Sequence, residues 1–122
     1  MIMEELLKEY NPKNLNEAVD AIDKITEKFL DRKNWLSNNE DDALVAAHHS
    51  LGRDIRNVWG LWAQDSNLYK WFIDNDIQHP DDMSSIILTC FHREKNNKEW
   101  KVEDQIQEYK NYWENYDKNI QP

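Results

Sequence analysis

Apolar residues recur along this chain every three or four positions, which is the spacing of amphipathic helices. On this pattern, residues 2–10 are predicted to form a first short helix. A second helix is predicted to begin after Asn14, which can cap it while Glu17 reaches back in the capping-box arrangement. We expect it to continue to about Leu30. Its inner stripe comprises Leu15, Val19, Ile22, Ile25 and Phe29.

One long helix is predicted from Glu40 to about Trp62. It follows a polar segment over residues 31–42 that breaks the periodicity and is typical of a loop or a short capped turn. Gly52 lies inside the helix, where a glycine lowers stability by roughly 1 kcal/mol relative to alanine. Gly52 therefore indicates the close approach of another element, a bend in the helix, or a loss of stability that the protein tolerates. The inner positions are Leu44, Ala47, Leu51, Ile55, Val58 and Trp62.

Three further helices are predicted, over residues 66–75, 80–92 and about 102–116. Pro80 fits the first position of the middle helix, and the two aspartates that follow it lie in the first turn, facing the positive end of the helix dipole. The run Ile86–Thr89 has the propensity of a strand, but this complete start signal favours a helix. The last helix has Val102, Ile106, Tyr109, Trp113 and Tyr116 on one side.

The composition supports a helical protein. Two glycines and three prolines in 122 residues are too few for the turns of a β-sandwich or barrel. The length suits one domain, and no internal repeat or low-complexity linker divides it. We therefore expect an all-α protein, a compact single-domain bundle of about five helices over residues 1–122. The single cysteine, Cys90, lies in an apolar run and is expected to be a buried thiol.

The formal net charge of −9 limits the class of partner. An acidic surface repels phosphate backbones, so we expect no direct nucleic-acid binding and favour a basic protein partner. The alternative is that the charge serves only solubility. The N-terminal sequence lacks the pattern of a signal peptide, and no run approaches the ~20 apolar residues of a membrane span. We expect a cytoplasmic protein that does not bind membranes; its oligomeric state is left open.

Residues 48–62 contain the clearest candidate site. If this segment is one helix, His49, Arg53 and Arg56 share a face, with Asn57 beside them. The chain has only four arginines against eleven lysines, which favours planar, bidentate hydrogen bonding at these two positions. One interpretation is an anion or carboxylate site. The other is structural: the arginines bind internal carboxylates or the carbonyl ends of helices.

Two tryptophans and two aspartates belong to the same hypothesis. Trp59 and Trp62 could stack on a ligand of the arginines. Asp81 and Asp82 are the internal carboxylates that the structural interpretation would pair with them. The two interpretations differ in one observable respect, since an anion site requires guanidinium groups and indole rings that are open to solvent.

The histidines raise the question of a metal site. His48, His49, His79 and His92 could combine with the two aspartates, but their spacing is poor. Adjacent histidines on a helix point about 100° apart, and no HExxH or CxxC pattern occurs. His79 is better explained as the cap of the helix that begins at Pro80. These patterns assign no catalytic residue, no metal and no cofactor, and they favour a protein that is not an enzyme without deciding the matter.

Two sequence blocks resemble a known family. The segment GRDIRNVWGLW, followed by Ser66-x-Leu68, Phe72 and HPDDMSSIIL with His92 and Arg93, resembles a family of small bacterial and phage proteins classed as a domain of unknown function. The resemblance spans about residues 44–113 and is carried by RNxWGLW and HPDDMS. It implies a domain extent, with residues 1–43 as an N-terminal helical extension, but it implies no activity.

The leading hypothesis is therefore a non-enzymatic acidic binding or inhibitor protein, encoded by a phage and directed at a host defence or nucleic-acid-handling protein. One alternative is a binder of a small anionic signalling ligand, a nucleotide, through Arg53 and Arg56 with Trp59 and Trp62. Another is a metal-dependent hydrolase that uses the histidines and the aspartate pair. The candidate residues for binding a ligand or partner are His49, Arg53, Arg56, Asn57, Trp59, Trp62, His79, Asp81 and Asp82.

Overall fold

Eight α-helices and no strands make up the part of the chain that a computed structural model describes, residues 2–120, with side chains up to residue 117. The all-α class is confirmed, but the predicted number of about five helices is wrong. None of the described helices is both long enough and apolar enough to cross a membrane. In chain order the helices are α1 Met3–Lys8, α2 Leu15–Thr26, α3 Arg32–Ser37, α4 Glu40–His48, α5 Leu51–Val58, α6 Asn67–Asp74, α7 Pro80–Lys95 and α8 Val102–Ile120.

The helix predicted from residue 40 to 62 is in fact two helices, α4 and α5. The chain leaves the helical conformation at Ser50, which has a φ of −123° and a ψ of −96°. Helix α5 begins at the next residue. Gly52 follows the break, and a Cβ there would lie 3.1 Å from the carbonyl oxygen of Ala47 and 3.7 Å from Leu88 Cδ1. Of the three explanations for this glycine, the close approach of another element is therefore confirmed. Apolar periodicity did not show the break, because both halves present apolar residues to the core.

Two shorter departures from the prediction lie on either side of residue 30. Helix α2 ends at Thr26 rather than near Leu30, and Leu30 is almost fully exposed. Helix α3 occupies part of the polar segment that was expected to be a loop or a short turn. Trp35 anchors it, because its Nε1–H donates to the carbonyl oxygen of Ala43 at 2.8 Å and its ring stacks on Phe91.

Helix α7 forms the centre of the molecule. Every residue from Ile86 to His92 is buried, and the helix packs against α2, α4, α5 and α8. A helix that is apolar on all sides is stable only when other helices surround it. This explains why the run Ile86–Thr89 resembles a buried strand in sequence, since both situations require continuous apolar residues.

Side-chain caps set the predicted helix starts. Asn14 Oδ1 accepts a hydrogen bond from the backbone N–H of Glu17 at 2.9 Å. The Glu17 carboxylate accepts in return from the N–H of Lys13 at 3.0 Å, one residue before the cap itself. At α7, His79 Nδ1 accepts from the N–H of Asp81 at 3.0 Å, so the predicted histidine cap is confirmed.

A bidentate ion pair fastens α4 to α7. Arg93 donates through Nε and Nη2 to the two carboxylate oxygens of Glu40, at 2.7 and 3.0 Å, and through Nη1 to the carbonyl oxygen of Trp100 at 2.6 Å. The hydrogen bonds from Arg93 lower the pKa of the Glu40 carboxyl from its ordinary value. The guanidinium group therefore joins α4, α7 and the approach to α8.

Gly60 closes α5 in a conformation that disfavours any other residue. Its φ is +70°, the N–H of Leu61 donates to the carbonyl oxygen of Arg56, and an added Cβ would lie 2.7 Å from Asp65 Oδ1. We predict that Gly60→Ala lowers the free energy of unfolding by about 1–3 kcal/mol, measured by urea denaturation.

Gln64→Gly is the matched control in the same turn. Gln64 has a φ of +60°, so glycine relieves backbone strain there while adding freedom to the unfolded chain. We expect its stability to stay within about 1 kcal/mol of the parent protein. Equal losses in the two variants would contradict this explanation of the turn.

Candidate protein-binding face

Arg56 is buried and holds three helices together. Only 5% of the residue is exposed. Its Nη1 donates to Ser84 Oγ at 2.9 Å, its Nη2 donates to the carbonyl oxygen of His48 at 3.0 Å, and its Nε lies 3.3 Å from Asp81 Oδ1. These contacts join the end of α4 and the start of α7 to α5. The structural interpretation of this arginine, pairing with an internal carboxylate and a helix C-terminus, agrees with them.

The structure does not assemble the predicted anion site. Trp59 is 5% exposed, and its Nε1–H donates to the carbonyl oxygen of Leu7 at 3.0 Å, which ties α5 to α1. Arg53 is largely exposed and contacts its neighbour Asp54, with 3.5 Å between Nε and Oδ1. The break at Ser50 and the burial of Arg56 thus separate side chains that a continuous helix would align.

His49 and Asn57 lie outside any shared site. Both side chains are exposed. The ring of His49 meets that of His48 edge to face at 4.7 Å, at the end of α4. Asn57 lies on the outer side of α5, whereas Arg56 beside it faces inward. The prediction that His49 and Asn57 share a helix face with the two arginines assumed one straight helix over residues 40–62.

His79 forms the centre of a cluster that the structure does bring together. Its ring meets Trp62 edge to face at a centroid distance of 5.6 Å and stacks on Trp113 at 5.7 Å with 17° between the planes. The Nε1–H of Trp113 donates to Asp82 Oδ2 at 2.8 Å. Trp113 on α8 therefore contacts two predicted site residues, His79 and Asp82. A third, Trp62, joins the cluster through His79.

The cluster continues along α8 as exposed aromatic rings. Trp113 contacts Tyr112 at 5.1 Å and Tyr116 at 5.5 Å between centroids. The exposed fractions are 50% for Trp62, 36% for Trp113, 58% for Tyr112 and 48% for Tyr116. We call these four residues and His79 the aromatic face. Exposed tyrosine and tryptophan in contact with one another are the residue types that most often anchor protein interfaces.

Carboxylates surround the aromatic face. A recess of about 570 Å³ lies between the start of α7 and α8. The Lys110 ammonium group lies there at 3.5 Å from Asp76, which offsets one of the charges. Six acidic residues line this recess and the adjoining one: Asp76, Asp81, Asp82, Glu108, Glu114 and Asp117. A cation that approached these rings would meet a negative potential.

Asp82 has the most perturbed carboxyl group of the face. Burial raises its pKa above the ordinary value of 3.8, and the charge of Asp81 adds to that effect. The hydrogen bond from Trp113 and the nearby His79 oppose the rise without cancelling it. Ionisation of Asp82 at the edge of the aromatic rings therefore costs free energy. A cation bound beside the carboxylate would reduce that cost.

The remaining chemical candidates find no site in the described residues. No group of three or more His, Cys, Asp or Glu side chains in this part of the chain is placed to hold a metal ion. Cys90 is fully buried, and burial raises the pKa of its thiol to about 12. A thiol in that state is a poor nucleophile at neutral pH.

Sequence reasoning missed the part of the face that α8 contributes. Trp113 and Tyr116 were predicted to lie on one side of the last helix, and Tyr112 was not considered. The sequence carries no signal that these rings are exposed, because residues 112, 113 and 116 span only about 100° of a helix and could form one core-facing stripe. The available core beside α8 is small, since its principal neighbour is α7.

Comparison with known proteins gives one match. The sequence model of the family described as Domain of unknown function (DUF6794) matches residues 11–95, more than half of the chain. The matched segment runs from just before α2 to the end of α7, so it starts earlier and ends earlier than the resemblance over residues 44–113. No curated protein and no solved structure matches the chain.

The two arginines of the predicted ridge should differ sharply in their effect on stability. We predict that Arg56→Ala lowers the free energy of unfolding by about 3 kcal/mol, because the carbonyl oxygen of His48 on α4 and Ser84 Oγ on α7 lose their donor and Asp81 loses its ion pair. Arg53→Ala should lower it by less than about 1 kcal/mol, because the Arg53 side chain is 59% exposed and its contact with Asp54 is 3.5 Å long. Chemical denaturation of both variants measures the difference. Similar losses would contradict the assigned roles.

The raised pKa of Asp82 predicts a pH-dependent effect of Asp82→Asn. Below the ordinary carboxyl pKa of 3.8, both proteins carry a neutral group at this position. As the pH rises, the unfolded chain ionises first while the folded chain keeps its proton up to the raised pKa, so the parent protein loses stability across that window. The stability of the variant relative to the parent should therefore increase with pH and then level off above the raised pKa. Denaturation curves at several pH values check this, and a difference of the opposite sign would contradict it.

Proposed function

The chain belongs to this family of unknown function, and we propose that it is a non-enzymatic acidic protein that binds a basic protein partner through the aromatic face. The observation that carries the proposal is the exposure of four aromatic rings in one connected cluster. Trp113 contacts Tyr112 and Tyr116, and His79 joins Trp113 to Trp62. A patch of this kind is unfavourable in water, and binding a partner would cover it.

The charges beside the rings favour a basic partner. Arginine and lysine side chains can place a cation over an indole or phenol ring and an N–H on a neighbouring carboxylate at the same time. The aromatic face offers both, because Asp82 lies 2.8 Å from the indole nitrogen of Trp113 and further acidic residues line the adjoining recess. The net charge of −9 would steer such a partner over longer distances.

Inhibition is the mode of action that we propose for this binding. Proteins that handle nucleic acids present basic surfaces, and an acidic protein can occupy such a surface without itself binding nucleic acid. We propose that the partner is a host defence or nucleic-acid-handling protein, that the chain is encoded by a phage, and that it acts in the cytoplasm. The anionic-ligand alternative has weaker support, since Arg56 and Trp59 are buried and already hydrogen-bonded.

A labelled nona-arginine peptide provides a first test of the face, with nona-glutamate as the control of opposite charge. We predict that the double variant Tyr112→Ala/Tyr116→Ala binds nona-arginine about tenfold more weakly than the parent chain, since losing interface anchors costs more than about 1 kcal/mol. Fluorescence anisotropy at low and at physiological salt measures the affinity, which should fall as salt increases.

Two exposed apolar residues outside the face provide the matched control. Leu30→Ala/Val45→Ala removes comparable exposed side chains from the connection between α2 and α3 and from α4. This control should bind nona-arginine like the parent, and a host protein captured by the parent chain should be captured by the control and lost with the tyrosine variant. Equal binding by the two double variants would exclude the aromatic face as the interface.

A further inference from the structure

A second cavity lies away from the aromatic face, where the break between α4 and α5 meets the end of α2 and α3. Its volume is about 330 Å³, within the usual range of small-ligand pockets of about 300–1,000 Å³. Apolar side chains form most of its wall: Phe29, Trp35, Leu51 and Phe91. Four charged residues also line it: Arg53 and Asp54 from the first turn of α5, and Asp31 and Arg32 at the start of α3.

The Asp54 carboxyl group lacks a partner that its burial demands. Only 8% of the residue is exposed, and its Oδ1 accepts no hydrogen bond from any residue that the structure describes. Nearly all buried polar groups are hydrogen-bonded, because leaving one unpaired is costly. The terminal torsion of an aspartate is soft, so a small rotation can present either oxygen to the cavity. A hydrogen-bond donor within the cavity would satisfy this group.

Arg53 determines what else the ligand must carry. Its Nε lies 3.5 Å from Asp54 Oδ1, and 59% of its side chain is exposed at the mouth of the cavity. The other guanidinium group of the lining, that of Arg32, is held by Asp23 through bonds of 3.0 and 2.6 Å. Arg53 is thus placed to receive an anion, whereas a ligand that carried only an ammonium group would be repelled by it.

We propose that this cavity binds a free α-amino acid with a large apolar side chain. The ammonium group donates to the Asp54 carboxylate, the carboxylate accepts from the Arg53 guanidinium, and the side chain packs against Phe29, Trp35 and Phe91. Arg53 and Asp54 then each meet an opposite charge on the ligand, and the apolar wall is covered. The site is independent of the aromatic face, so the two proposals stand or fall separately.

Isothermal titration calorimetry of the full chain tests the proposal with L-phenylalanine, L-tryptophan and L-leucine. We expect at least one of them to bind with a Kd below about 1 mM. The comparison compounds for phenylalanine are 2-phenylethylamine, which lacks the carboxylate, 3-phenylpropionate, which lacks the ammonium group, and glycine, which lacks the apolar part. Each should bind at least tenfold more weakly than the amino acid. Failure of all three amino acids to bind, or an amine that binds equally well, would overturn the proposal.

Asp54→Asn separates ligand binding from folding. The amide removes a buried charge that has no hydrogen bond at Oδ1 and only a 3.5 Å contact with Arg53, so the variant should fold with at least the thermal stability of the parent chain. It should nevertheless bind the amino acid at least tenfold more weakly and show no ligand-dependent rise in Tm. Asp41→Asn, at an exposed carboxylate on α4, should leave binding unchanged. Unchanged binding by Asp54→Asn would exclude this carboxylate as the ammonium site.

Discussion

The buried guanidinium group of Arg56 fixes the relative positions of α4, α5 and α7. A single side chain donates to a carbonyl at the end of α4 and to a hydroxyl on α7, and its Nε lies beside a carboxylate at the start of α7. Planar donors in a rigid fork can reach acceptors on both helices at once, whereas the three donors of a lysine all lie on one nitrogen atom. Because the break at Ser50 leaves the end of α4 without a following helical turn, these bonds also replace partners that a continuous helix would have supplied.

The position of the aromatic face follows from that arrangement. Arg56 holds the first turn of α7 through Asp81, and the nearby His79 and Asp82 contact Trp113 of the aromatic face. His79 caps the helix with one ring nitrogen while its ring packs between Trp62 and Trp113. The start of α7 therefore has two roles. The cap by His79 and the contact of Arg56 with Asp81 stabilise the fold, and the side chains of His79 and Asp82 form part of the surface around the aromatic rings. A rigid support of this kind reduces the entropy that an exposed ring would lose on binding.

Sequence patterns predicted the elements better than they predicted the site. The caps at Asn14 and His79 were found because such signals depend on neighbouring residues alone. The break at Ser50 was missed because its cause is tertiary, namely the packing of Gly52 against Ala47 and Leu88. The assumption of one continuous helix also led to the prediction that the two arginines share one ridge with His49. The sequence predicted that α5 pairs with the start of α7. It could not predict the contribution of α8 to the face, because that depends on how little of the core this helix covers.

The aromatic face spans a boundary in the chain. Trp62, His79 and Asp82 lie inside the family match of residues 11–95, whereas Trp113 and both tyrosines lie on α8, beyond it. The Tyr112 and Tyr116 side chains on α8 are exposed, whereas the hydrogen bonds of Arg56 are made to α4 and α7. In a protein built in this way, substitutions on one peripheral helix can change half of a surface while the scaffold that presents the other half stays the same.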